Sequence, residues 1–147
     1  MIRKTLILMV VLLAVLPAAT VSSQNIEITV TGIRNTNGYI AIGVFRDNET
    51  FRKEEAFFKT RFPKTGMSDG ELKVSITLEP GIYGISLLDD ENSNGEMEYN
   101  FLGMPKEGFG FSDFYLKGIT KPKFDDFKFK LDPDQTKKVT IKIRYML

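Results

Sequence analysis

The sequence predicts an all-β domain: an antiparallel β-sandwich of immunoglobulin or transthyretin type, with about seven strands and one long irregular insertion. Three observations predict it. Short segments alternate apolar and polar residues with a period of two, Gly, Pro, Asn and Asp punctuate them, and only Glu49–Phe58 reads as helix. A small closed β-barrel is the architectural alternative.

In chain order, residues 1–23 read as a signal peptide. Arg3 and Lys4 precede an apolar run from Thr5 to Leu16, Pro17 breaks it, and Val21 and Ser23 are small enough to flank a cleavage site before Gln24. The uncharged stretch is long enough to suggest a retained anchor. Its apolar part is short, however, and ends in Pro, Ala, Thr and Ser, which suits cleavage better. The expectation is an exported protein, periplasmic or extracellular, with no stable membrane span after cleavage and a single domain over 24–147. Cleavage removes two basic residues and no acid, which turns the formal charge of +1 slightly negative.

Asn25–Ile33 alternates Ile26, Ile28 and Val30 with polar residues, a half-buried strand. The Asn35-Thr36-Asn37-Gly38 turn and the strand Tyr39–Phe45 follow, most simply as a hairpin. Glu49–Phe58 supplies the short helix, although Ala56–Phe62 also fits a strand ending at Pro63. Leu72–Leu78 alternates cleanly, Pro80-Gly81 turns the chain, and Ile82–Leu88 returns. Residues 89–123 show no period. Phe124–Leu131 and Lys137–Tyr145 close the domain around the Asp132-Pro133-Asp134 turn.

Composition excludes several chemistries. The 147 residues contain no cysteine, histidine or tryptophan. That rules out a disulfide framework, a thiolate or imidazole metal site, and a Ser-His-Asp triad. The near-neutral charge gives no reason to expect nucleic acid. The C-terminal part carries an excess of Lys and Arg, but these alternate with apolar residues, as on a solvated strand face.

A long aperiodic stretch inside a small domain is unusual and often functional. From Asp90 it reads D-x-N-x-N-G-x-x-E, with oxygen-bearing side chains at alternate positions and a glycine for a sharp bend. Asp90, Asn92, Asn94, Glu96 (through its carbonyl) and Glu98 are therefore candidate ligands of calcium, the one cofactor expected. The surroundings agree: Val74–Pro105 holds six acids and no Lys or Arg. The pattern departs from a full EF-hand loop, because its twelfth position is Phe101 instead of a bidentate Glu and no helices flank it. An Asn/Gly-rich turn with solvated acids explains the same residues.

More than half of the aromatics fall between Tyr99 and Phe129. They read either as a ligand-stacking surface or as a loop pinned over the core by its own phenylalanines, and the lack of tryptophan weakens a sugar platform.

The chain resembles the bacterial secreted family known as domain of unknown function 2141. The resemblance rests on ITVTGIRNTNGYIAIGVF, PGIYGISLLDDENSNGEME and the run NFLGMPKEGFGFS followed by PKFDDFKFKL. It implies a signal peptide, an all-β domain and export, and no assigned activity. Glu98 stands where an aspartate is expected in that pattern. The run Asn100–Ser112 looks like the family's hallmark, which adds Asn100, Glu107 and Ser112, with the aromatic Phe101, Phe109 and Phe111, as ligand-binding candidates.

The leading expectation is an exported, non-enzymatic module that binds an unknown protein or glycan of the cell envelope through the 89–115 loop. The alternatives are a glycosidase-like hydrolase using carboxylates among Asp89, Asp90, Glu96, Glu98 and Glu107, and a structural envelope-assembly protein. No catalytic residue is singled out.

Overall fold

Alternation puts branched aliphatic residues on one face of successive strands, and two sheets close over them. The computed structural model describes residues 22–147, so the signal-peptide reading of 1–23 falls almost wholly outside it. A three-stranded sheet has the order β4 (Leu72–Leu78), β1 (Gln24–Thr31), β8 (Lys137–Lys142). The facing sheet runs β3 (Phe58–Pro63), β2 (Tyr39–Phe45), β5 (Gly81–Asp90), β6 (Gly108–Phe111). The long β5 also pairs with β7 (Lys128–Leu131), so its free edge is shared end to end by β7 and β6. The architecture is a β-sandwich, not a closed barrel. Among the described residues no helix is long and apolar enough to cross a membrane.

The main core lies between the sheets. Ile26, Ile28 and Val30 of β1 meet Ile40, Ile42 and Val44 of β2 and Ile85 and Leu87 of β5, all buried. A second cluster sits on the outer face of the larger sheet. Phe45, Phe51, Phe109, Phe111, Phe124 and Phe127 pack there edge to face, with ring centroids 4.8 Å apart for Phe51–Phe127. Its aromatics come from the end of β2, from β6, from the segment Phe124–Phe127 and from α1 (Asn48–Arg52), whose N-cap Asp47 accepts from Thr50 N at 2.8 Å.

Five expectations need correction. First, β1 and β2 are not a hairpin. Gly32 at φ +80° and the Ile33 N–H···O=C Gly70 bond divert the chain into the other sheet, so the two apolar faces oppose each other across the core. Second, the helix is one short turn, and Phe58–Pro63 pairs with β2 as a strand. Third, Phe124–Leu131 is not all strand: Phe124–Phe127 forms α2 before β7. A strand would send Phe124 and Phe127 to opposite faces, whereas a helical turn buries both in the outer cluster. Fourth, residues 89–123 contain β6. Its sequence Gly-Phe-Gly-Phe lacks the aliphatic alternation that marks a strand, because its inward positions are glycines. A Cβ on Gly110 would fall 2.5 Å from Ile141 Cγ2, so the sandwich leaves no room for a side chain there. One pairing, β1 with β8, is parallel where the expectation was antiparallel throughout.

Gly84 of β5 has the same role on the outer face, where a Cβ would fall 2.5 Å from Phe127 Cε2 and 2.9 Å from Phe124 Cε2. Gly84→Ala is expected to lower stability by about 1–3 kcal/mol in urea unfolding, through overpacking. Gly118→Ala, at a position open to solvent, should stay within about 0.5 kcal/mol of wild type.

Candidate functional site

The end of β5 carries two adjacent carboxylates, and strand alternation sends them to opposite faces of the sheet. Both Asp89 and Asp90 are fully buried. Asp89 faces the space between the sheets. Lys64, from the 3-10 turn Lys64–Gly66, forms an ion pair with Asp89 Oδ1, with both side chains wholly removed from solvent. Tyr145 OH donates to Asp89 Oδ2 at 2.5 Å, and burial together with that bond pushes the Tyr145 phenol far above its ordinary value. Next in sequence, Glu91 takes the Arg34 guanidinium at 2.6 and 3.2 Å, which holds its carboxyl below the usual range.

Asp90 faces the outer side. Its two oxygens accept from Asn94 N at 3.1 Å and Gly95 N at 2.9 Å, which winds the candidate calcium loop around the carboxylate. Asn92 Oδ1 accepts from Asn94 N, and Asn94 Oδ1 from Glu96 N. Asn92 Nδ2 donates to Glu98 Oε2 at 2.7 Å. The structure thus gathers Asp90, Asn92, Asn94 and Glu98 into one loop, while the Glu96 side chain is exposed. Among the described residues no three acidic side chains cluster closely enough to hold a metal ion by themselves. An ion here has to draw on amide and carbonyl oxygens as well.

Glu107, just before β6, is 6% exposed; its carboxylate oxygens make no hydrogen bond of ordinary geometry, and the backbone N–H of Glu98 is directed at them. Burial is the main cause that raises its carboxyl above the ordinary range, and the nearby charge of Asp90 adds to it.

A groove of about 690 Å³ opens on the outer face of the larger sheet. Its floor is cut by small residues. Register places Ala41 opposite Leu88 and Gly43 opposite Ser86, so four neighbouring outward positions include Ala, Gly and Ser. The insertion builds one wall from Met97, Tyr99, Met104 and Pro105, and Phe51 and Phe111 of the aromatic cluster close another side. Lys59, Arg61 and Lys121 line it with a single acid, Glu54. Sequence reasoning missed this floor, because Ala41, Gly43 and Ser86 look like ordinary solvent-facing strand positions. The signal was their small size at paired positions, readable only once the register is known.

The other candidates separate. Asn100 organises a tight turn, its Oδ1 accepting from Leu102 N and Met104 N at 2.9 and 3.0 Å. The turn carries Phe101 outward, 94% exposed. Phe109 and Phe111 are buried in the aromatic cluster and reach the groove wall. Ser112 is buried away from it, donating to the Phe127 carbonyl at 2.6 Å and accepting from Ile85 N at 3.0 Å. It ties β5 to α2.

Fold and site together define a β-sandwich domain whose insertion roofs a groove on one sheet. A protein-family model described as an uncharacterized protein conserved in bacteria (DUF2141) matches residues 28–140, and the chain belongs to this family. Comparison with curated proteins and with solved structures found no match.

Removing one partner of a buried ion pair strands the other charge. Lys64→Met is expected to cost about 3–5 kcal/mol in denaturant unfolding, and adding Asp89→Leu should recover most of that loss.

Proposed function

We propose that the protein is an exported, non-enzymatic binding module that takes an amphipathic small molecule, with an apolar body and an anionic head, into the groove beneath the 89–115 loop. The groove carries this reading. Its volume lies within the usual range for small-molecule sites, and its walls are aromatic and Met-rich with a few polar groups at the edge. Three basic residues against one acid at its lining favour an anionic head. Export rests on the sequence pattern of residues 1–23.

The hydrolase reading gains less support. A glycosidase needs two carboxyls roughly 5–10 Å apart around a cleft. Glu54 is the only acid among the groove's lining residues, and Asp89 is committed to Lys64 and Tyr145. A second reading has one specific observation behind it: Phe101 and Leu102 stand exposed at the tip of the insertion's turn, as a docking point for a protein partner would.

Titration with dansylated undecanoic acid tests the groove. Saturable, blue-shifted fluorescence with a micromolar dissociation constant, about −8 kcal/mol, is expected. Ala41→Trp, which fills the floor, should abolish it, and Phe101→Ser should leave it unchanged. Absence of saturable binding, or equal binding by Ala41→Trp, contradicts the proposal.

A further inference from the structure

We propose that Glu107 completes a calcium site with the Asp90–Glu98 loop, supplying from the residue before β6 the carboxylate that Phe101 cannot supply at the loop's own twelfth position. Register makes the case. The β5–β6 ladder ends at Asp89↔Gly108; Asp90 follows Asp89 and Glu107 precedes Gly108, so both leave the last paired rung together, close enough for the Asp90 charge to act on Glu107. Like charges brought together at the end of a ladder repel.

Both carboxylates are buried, and no Lys or Arg among the described residues forms an ion pair with Asp90, Glu98 or Glu107. Lys64 lies on the inner face with Asp89, and Arg34 holds Glu91. Neither Glu107 oxygen makes a hydrogen bond of ordinary geometry; the backbone N–H of Glu98 is directed at the carboxylate, which sets it against the loop, although a buried carboxylate ordinarily finds full partners.

A divalent cation between the strands resolves this arrangement. Calcium takes six to eight oxygens at roughly 2.3–2.6 Å in flexible geometry. Asp90 and Glu107 supply charge, the Asn92 and Asn94 amides supply neutral oxygens at alternate positions, and Glu98 stays hydrogen-bonded to Asn92. The exposed Glu96 contributes at most its carbonyl. The variable geometry suits calcium over the smaller magnesium, which demands a near-ideal octahedron. The ion bridges the start of the insertion to its return strand, whatever occupies the groove.

The test is calorimetric titration of EDTA-stripped full-length protein with calcium chloride, with melting curves in parallel and no groove ligand present. Wild type should bind one ion with a dissociation constant on the order of 10⁻⁴ M and melt at a higher temperature with calcium. Magnesium should bind more weakly. Glu107→Gln should lose at least about tenfold in affinity while melting no lower than wild type in EDTA, because it also removes a buried repulsion. Glu107→Asp keeps the charge but shortens the reach, and should fall between the two. Glu96→Gln should bind like wild type. No heat and no melting shift for wild type overturns the proposal, as does unchanged affinity in both Glu107 variants. Dansylated undecanoic acid binding in EDTA reports the groove separately, so either reading can fail alone.

Discussion

The end of β5 imposes the constraint on which the rest depends: consecutive side chains on a strand point to opposite faces, and here both are aspartates with no access to water. Burying an ionised carboxylate is expensive unless it is paired. The fold answers this twice, in different ways. On the inner face, Lys64 and Tyr145 reach Asp89 from a turn and from the C-terminal segment, two parts of the chain far apart in sequence. The Arg34 backbone N–H bonds the same tyrosine hydroxyl, and its guanidinium lies over that ring and on Glu91. One polar network thereby fastens the connection after β1, the 3-10 turn and the C-terminus to the central strand.

On the outer face the chain supplies only backbone donors. Asn94 and Gly95 wrap Asp90, and that wrapping launches the insertion at a fixed angle over the sheet. The insertion is pinned again where it returns. Ser112 bonds Ile85 and Phe127, Asp113 bonds Thr140 in both directions, and Arg144 donates to the carbonyls of Leu116 and Gly118. Between these anchors the aromatic cluster fills half of the outer face. The small residues Ala41, Gly43 and Ser86 leave the other half open as the groove. The insertion is thus both a second core and a roof.

Much of the fold was legible because β1, β2, β4 and β5 carry unbroken aliphatic alternation, and period two translates directly into a buried face. What escaped notice has physical reasons. β6 presents glycines inward, so it lacks the pattern. The Phe124–Phe127 turn is set by tertiary burial against Phe51 and Phe111, not by local propensity. Sheet assignment of β1 and β2 depends on the long-range Ile33–Gly70 bond. At the site, Asp90, Asn92, Asn94 and Glu98 were readable from spacing alone, and Glu107 could be named as a candidate. Its closeness to Asp90 needed the β5–β6 register, whose last rung is Asp89↔Gly108. Asp89 looked like one more member of an acidic run; its ion pair joins it to Lys64 in the 3-10 turn after β3 and leaves no local trace.

The unequal compensation of the two aspartates is most directly read by amide hydrogen exchange, residue by residue, with calcium and with EDTA. Calcium should slow exchange at Asn94, Gly95 and Gly108–Phe111, the backbone on either side of the proposed site. It should leave the Ile26–Val30 amides of the opposite sheet unchanged. Equal exchange rates in the two conditions at Gly108–Phe111 would contradict the account, because the outer carboxylates would then need no ion to hold the insertion in place.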